Sequence, residues 1–208
     1  MQDTEFMQWA YKLAMAKMPK SGTGYHTIGH VDTMLGDLKQ IANRLSEEEY
    51  EDLYVAVCMH DIVHGNLPGR DETASAEYFR SNIPTTLAHG IGADRVERIE
   101  RLILATDYTR TLPELPKDET RLLHIIRDLD RLCFSTLERF ASADRQLCEE
   151  AAKAGMPEEK FRKCRCEFLR KLLACITTEG QLYHSEYFGN LNSDAYINLI
   201  TKIAYYDR

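Results

Sequence analysis

Apolar residues recur at intervals of three and four along almost the whole chain, the spacing that lays one side of an α-helix against a core. Phe6, Trp9, Ala10, Leu13 and Ala14 predict a first helix closed by Pro19 and Gly22, and Ile28, Val31, Leu35, Leu38, Ile41, Ala42 and Leu45 predict a second. Ser46 and Glu49 have capping-box spacing, each side chain answering the other's backbone N–H. A third helix should therefore start there, carry Leu53, Ala56, Val57 and His60 on one face, and run to Gly65, with Pro68 and Gly69 beyond. Asp71 begins a short fourth helix that stops before Pro84, and Asp94 caps a fifth bearing Val96, Ile99, Leu102 and Ile103. Thr109 to Lys117, with Pro113 and Pro116, reads as a loop, after which Asp118 caps a sixth helix with Leu122, Leu123, Ile125, Ile126, Leu129 and Leu132. Two further helices, about Ser135 to Lys153 and Pro157 to Thr178, form a hairpin through Ala154-Gly155, and Ser193 caps a last one ending near Ile203. No stretch alternates with period two and no internal repeat is evident, so the expected fold class is all-α.

Composition narrows the function classes. The chain has 208 residues, 44% hydrophobic and 28% charged, with 11 Gly and 6 Pro, which is an ordinary globular composition and the length of a single domain. Acids outnumber Lys plus Arg by 33 to 26 and the bases are interspersed, so a nucleic-acid-binding stripe is not expected. No window approaches the ~18 apolar residues of a membrane span, and the N-terminus carries acids where a secretory leader has bases. The expectation is a cytoplasmic protein with neither membrane nor nucleic-acid partner, and its charge leaves room for a small anionic substrate only if a cation helps attract it. Cys58, Cys133, Cys148, Cys164, Cys166 and Cys175 contain no CxxC pair and read as reduced, with the last three and Cys133 as core.

Four of the seven histidines fall in two pairs, His26 with His30 and His60 with His64. A spacing of four puts each pair on one face of a continuous helix, and Asp61 adds a carboxylate beside His60. Such pairs are common on helix surfaces and carry little alone. What strengthens them is the run Tyr54-Val55-Ala56-Val57-Cys58-Met59 just before His60-Asp61, where a buried charge is costly without a compensating partner. Asp128 and Asp130 sit in the same predicament among Leu122, Leu123, Ile125, Ile126 and Leu129. Imidazoles with carboxylates suit zinc, iron, manganese or similar divalent ions.

The order His30, then His60-Asp61, then Asp130 on separate helices resembles the HD superfamily of metal-dependent phosphohydrolases. Two groups within it are similar. One is the predicted HD phosphohydrolases of about this length, through Tyr25-His26-Thr27-x-x-His30, His60-Asp61, Asp71-Glu72-x-x-Ser75-Ala76, Ile103-x-Ala105-Thr106 and Asp128-Leu129-Asp130. The other is the cyclic nucleotide phosphodiesterases, through Tyr25-His26-x-x-x-His30, His60-Asp61-x-x-His64-Gly65 and Ala105-Thr106-Asp107. Both groups follow the Thr106 region with a histidine, and here Tyr108, Thr109, Arg110 and Thr111 stand instead.

The resemblance implies a single HD-type domain, with a metal-binding core over about 20–135 and C-terminal helices 136–208 packed on it. It implies a divalent ion (Mn, Fe, Zn, Ni, Co or Mg) held by His30, His60, Asp61 and Asp130, with Asp61 able to bridge a second. Asp130 is preferred to Asp128 because Arg131-Leu132 follows it, as a polar and then an apolar residue follow the family's last acid. His26 corresponds to the proton donor for the leaving oxygen, or packs on Tyr25. His64 orients a ligand or water, or is a histidine favoured at a helix C-terminus. Glu72 holds a water at the centre, or is a first-turn glutamate. Asp128 is a hydrogen-bond acceptor more than a ligand, and Arg70 and Arg131 are the candidate phosphate contacts. The expected function is hydrolysis of a phosphoester or phosphoanhydride of a small metabolite, a nucleotide first among them. The alternatives are a di-iron oxygenase recruiting His89 and His124, and a non-catalytic nucleotide-binding module. An oligomer is compatible with all three.

Overall fold

The computed structural model describes residues 3–20, 24–65, 70–107 and 114–207, and the described residues are helical with no β-strand, the all-α class the periodicity predicts. The helices are α1 (Glu5–Lys17), α2 (Ile28–Gln40), α3 (Glu47–Met59), α4 (Asp71–Asn82), α5 (Thr85–Ile91), α6 (Ala93–Ala105), α7 (Lys117–Arg131), α8 (Leu137–Lys153), α9 (Glu158–Glu179) and α10 (Asn192–Tyr206). Backbone contacts divide the chain into two compact units, Met1–Ser21 with His26–Leu129, and Gly22–Tyr25 with Asp130–Arg208.

In the first unit α3 is the central element, packed against α1, α2 and α6. Its sequence explains why: Leu53, Val55, Ala56, Val57, Cys58 and Met59 are all buried, a helix apolar on nearly every side. The Ser46–Glu49 capping box forms in both directions and fixes its start. Asp52, also fully buried, is held by two arginines of α6, with Arg95 Nε 2.9 Å from Oδ1 and Arg98 Nε 2.6 Å from Oδ2.

The second unit is built on the α8–α9 hairpin, which turns at Gly155 with φ +78°, and on α10 packed along α9. Phe134, Phe140, Leu169, Leu172, Tyr183 and Leu199 form its core. Buried Asp144 accepts from Arg165 Nε at 2.9 Å and pairs with Lys202 Nζ at 2.8 Å and the Tyr206 hydroxyl.

Four expectations are corrected. The second helix stops at Gln40, and Ala42–Arg44 form a 3-10 turn, so Ile41, Ala42 and Leu45 lie beyond it. The third helix stops at Met59 rather than Gly65. The short α5 lies between the expected fourth and fifth helices. Cys164 is exposed, not core, although all six cysteines are free. The Thr109-to-Lys117 loop expectation falls mostly on residues outside those described, as do Gly22, Pro68 and Gly69.

Candidate metal centre

The early stops rearrange the histidines. Helix α2 begins at Ile28, so His26 lies before it and His30 within its first turn. Helix α3 ends at Met59, so His60 is its C-cap and His64 lies in the following turn. Neither pair shares a helix face. The pairing is instead between motifs: His26 stacks on His64 with ring centroids 3.7 Å apart and 20° between planes, and His30 meets His60 edge-on at 5.3 Å.

Helix α4 builds the turn that carries His64. Ser75 Oγ accepts from the Val63 N–H at 3.1 Å and donates to the Val63 carbonyl at 3.2 Å. One turn earlier, Asp71 Oδ2 accepts from the Gly65 N–H at 3.0 Å and lies 3.2 Å from His64 Nδ1. Gly65 adopts φ +99°, a conformation that a side chain would strain, and so lets the chain leave this turn. Asp71 and Ser75, four apart on one helix face, hold this turn in place, a role that motif spacing does not explain.

His60 is 1% exposed. Its Nδ1 lies 2.9 Å from the Val57 carbonyl oxygen, which can only accept, so the ring proton sits on Nδ1. Nε2 faces Asp61 Oδ2 at 3.0 Å; it presents a lone pair in the neutral ring and donates to the carboxylate in the protonated one. His30 Nε2 is 4.0 Å from the same oxygen, and the His30 side chain is also largely buried. The proton of His64 is likewise directed to Asp71 through Nδ1. His60 thus has Nδ1 engaged and Nε2 turned toward Asp61, the arrangement in which an outer hydrogen bond fixes the tautomer of a metal-ligating histidine.

His30, His60 and Asp130 each offer an atom within 4.8 Å of the others, and so do His26, Asp61 and His64. Asp130 belongs to the last turn of α7. Burial pushes the Asp61 carboxyl up, but the imidazoles of His60, His26 and His30 outweigh it and hold the group well below the usual carboxylate range. Burial raises Glu72, its own backbone N–H opposes the rise, and the carboxylates of Asp107, Asp61 and Asp71 add to it. The donor set, imidazole nitrogens facing carboxylate oxygens in a largely buried place, fits a divalent cation.

The other expected positions are placed as follows. Asp128 is fully buried, and Asp130 is the α7 acid that joins the histidines. Arg70 is exposed at the N-cap of α4. Arg131 is buried, with Nη1 3.5 Å from the Leu182 carbonyl oxygen. Arg127 donates to the carbonyls of Ala105 and Asp107 at 2.6 and 2.9 Å and so closes the C-terminal end of α6. His89 is exposed on α5. No helix among the described residues is long and apolar enough to cross a membrane. No protein-family model matches the chain and no curated protein matches it.

Proposed function

We propose that the protein is a divalent-metal-dependent phosphohydrolase that cleaves a phosphoester or phosphoanhydride of a small metabolite, a nucleotide foremost. The observation that supports this most is the inward-facing Nε2 of His60 at 3.0 Å from Asp61 Oδ2, with His30 and Asp130 beside it. His30, His60, Asp61 and Asp130 would hold the ion. When bound, such an ion supplies Lewis acidity to a phosphoryl oxygen and lowers the pKa of water from ~15.7 toward ~7.

The remaining work falls to the chain's own groups. Asp61, ionised through the acid and neutral range, supplies negative charge and an acceptor for a nucleophilic water. Glu72, its carboxyl raised by burial and by three neighbouring acids, holds a second water. His26 donates the proton to the leaving oxygen, and His64, steadied by Asp71, keeps His26 in place by stacking. Arg70 contacts the outer part of the substrate from the edge of the site. Ion stoichiometry decides the part of His26: with one ion per chain it is the proton donor, and with two it is a ligand with Asp61 and His64.

The test is turnover of nucleoside mono-, di- and triphosphates, cyclic nucleotides and an aryl phosphate with manganese, cobalt, nickel or magnesium. Asp61→Ala should lose ion uptake and turnover together. Full turnover in Asp61→Ala, or none by wild type with any of these ions, would overturn the proposal.

A further inference from the structure

The acid that joins His30 and His60 sits in the last turn of α7, where backbone carbonyls have no partner within the helix. One of these is the carbonyl of Arg131, the residue next to Asp130. It accepts from the hydroxyl of Tyr183 at 2.8 Å, and Tyr183 is 0% exposed. Tyr183 is itself fixed by Asn192, the first residue of α10. Asn192 Oδ1 accepts from the backbone N–H groups of Leu182 and Tyr183 at 2.6 and 2.8 Å, while Nδ2 donates to the carbonyls of Tyr183 and Gly189 at 3.1 and 2.7 Å. The Arg131 guanidinium returns to the Leu182 carbonyl. The end of α7 and the segment before α10 are therefore tied at both the carbonyl and the side chain of Arg131.

We infer that Tyr183 and Asn192 are positioning residues for Asp130, setting where its carboxylate stands; this rests on the reading of Asp130 as a metal ligand. Helix ends fray, and a carboxylate on the last turn moves with them. Ligand distances tolerate only about ±0.2 Å, so a donor that pins the carbonyl beside the ligand acts on affinity without touching the ion. A cap by water would satisfy the Arg131 carbonyl equally well but would not fix its place. The hydroxyl of a fully buried tyrosine, whose backbone N–H and carbonyl are both held by one asparagine, does.

The experiment is titration of the metal-stripped protein with Co2+, followed by its visible absorption, whose intensity and wavelength report coordination number. Tyr183→Phe keeps the ring and deletes the hydroxyl. Tyr206→Phe is the control, because it deletes a tyrosine hydroxyl of the same unit that bonds to Asp144. Tyr183→Phe should weaken Co2+ binding about 10-fold and change the spectrum, the size that loss of an outer-shell group commonly has, while Tyr206→Phe leaves both unchanged. In an Asp130→Asn background Tyr183→Phe should have no further effect. Asn192→Asp, which keeps the acceptor and loses the donors, should weaken binding in the same direction and serves if Tyr183→Phe does not fold. Equal affinity in Tyr183→Phe, Asn192→Asp and wild type, with Asp130→Asn weakened, overturns the positioning role alone. Wild-type affinity in Asp130→Asn overturns the ligand reading beneath it.

Discussion

Replacing Asp61 by Asn should have opposite consequences for stability depending on pH and on whether metal is present. In the metal-free protein the Asp61 carboxyl titrates below its ordinary range, because protonated imidazoles around it outweigh its burial. A depressed carboxylate contributes stability above its unfolded value, near pH 4, and loses it only as pH falls through the folded value. That contribution lasts while the imidazoles are charged, so its window opens near pH 4 and closes where they lose their protons. At 3.0 Å the His60 contact is worth about 5 kcal/mol at an effective dielectric of 20, and less after desolvation, so a net 1–3 kcal/mol is the reasonable scale. Above that window the lone pair of neutral His60 faces a carboxylate, and an Asn amide that can donate to it should be neutral or stabilising.

With metal the wild type is the more stable at either pH. Ligand at 100 times its Kd adds about 2.7 kcal/mol to wild type, or roughly 5–10 °C in Tm at 2–4 °C per kcal/mol for a chain of this size. Thermal melts in EDTA and in excess Mn2+ at pH 5.5 and pH 8 provide the assay. Asp61→Asn should melt below wild type at pH 5.5 in EDTA, match or exceed it at pH 8 in EDTA, and fail to gain from Mn2+. Equal Mn2+-induced shifts in the two proteins would refute the reasoning.

Glu72 has a folded pKa raised above its ordinary value, so its contribution is present at low pH and is lost as pH rises through the folded value. Glu72→Gln should therefore raise the Tm of the metal-free protein at pH 7 and leave it nearly unchanged at pH 4. Asp52→Ala leaves Arg95 and Arg98 without the carboxylate that joins them and should cost about 3 kcal/mol in denaturant unfolding, near the low end for a broken buried pair because both arginines can turn toward solvent. Its Mn2+ affinity should equal that of wild type. Asp71→Asn removes the charge that orients His64 and should lower turnover about 10-fold with little change in melting temperature.

Helix identity was legible wherever a local signal agreed with the packing. Ser46 and Glu49 mark the start of α3 because capping uses only neighbouring residues, and Gly155 marks the hairpin because its positive φ needs glycine. The end of α3 was not legible. The apolar run reaches Met59 with no glycine or proline until Gly65, and what stops the helix is the fold: Asp71 and Ser75 of α4 capture the backbone at Gly65 and Val63. The same hidden stop explains why residues at the spacing of a helix face became partners across motifs, His26 with His64 and His30 with His60. Burial of acids was a sound clue with two solutions. Asp52 is answered by arginines from α6, some forty residues away in sequence, whereas Asp61 is surrounded by imidazoles. Only the three-dimensional neighbours distinguish a structural acid from a candidate ligand. The link from Tyr183 to Arg131 spans 52 residues and joins no motif, so no pattern in the chain announces it.

The most direct test of the metal centre is anomalous scattering from crystals grown with Co2+. The account predicts a peak about 2.0–2.2 Å from His30 Nε2, His60 Nε2 and oxygens of Asp61 and Asp130, the range for such ligands. A protein that takes up no cobalt, or a peak held by other residues while these four stay apart from it, would contradict it.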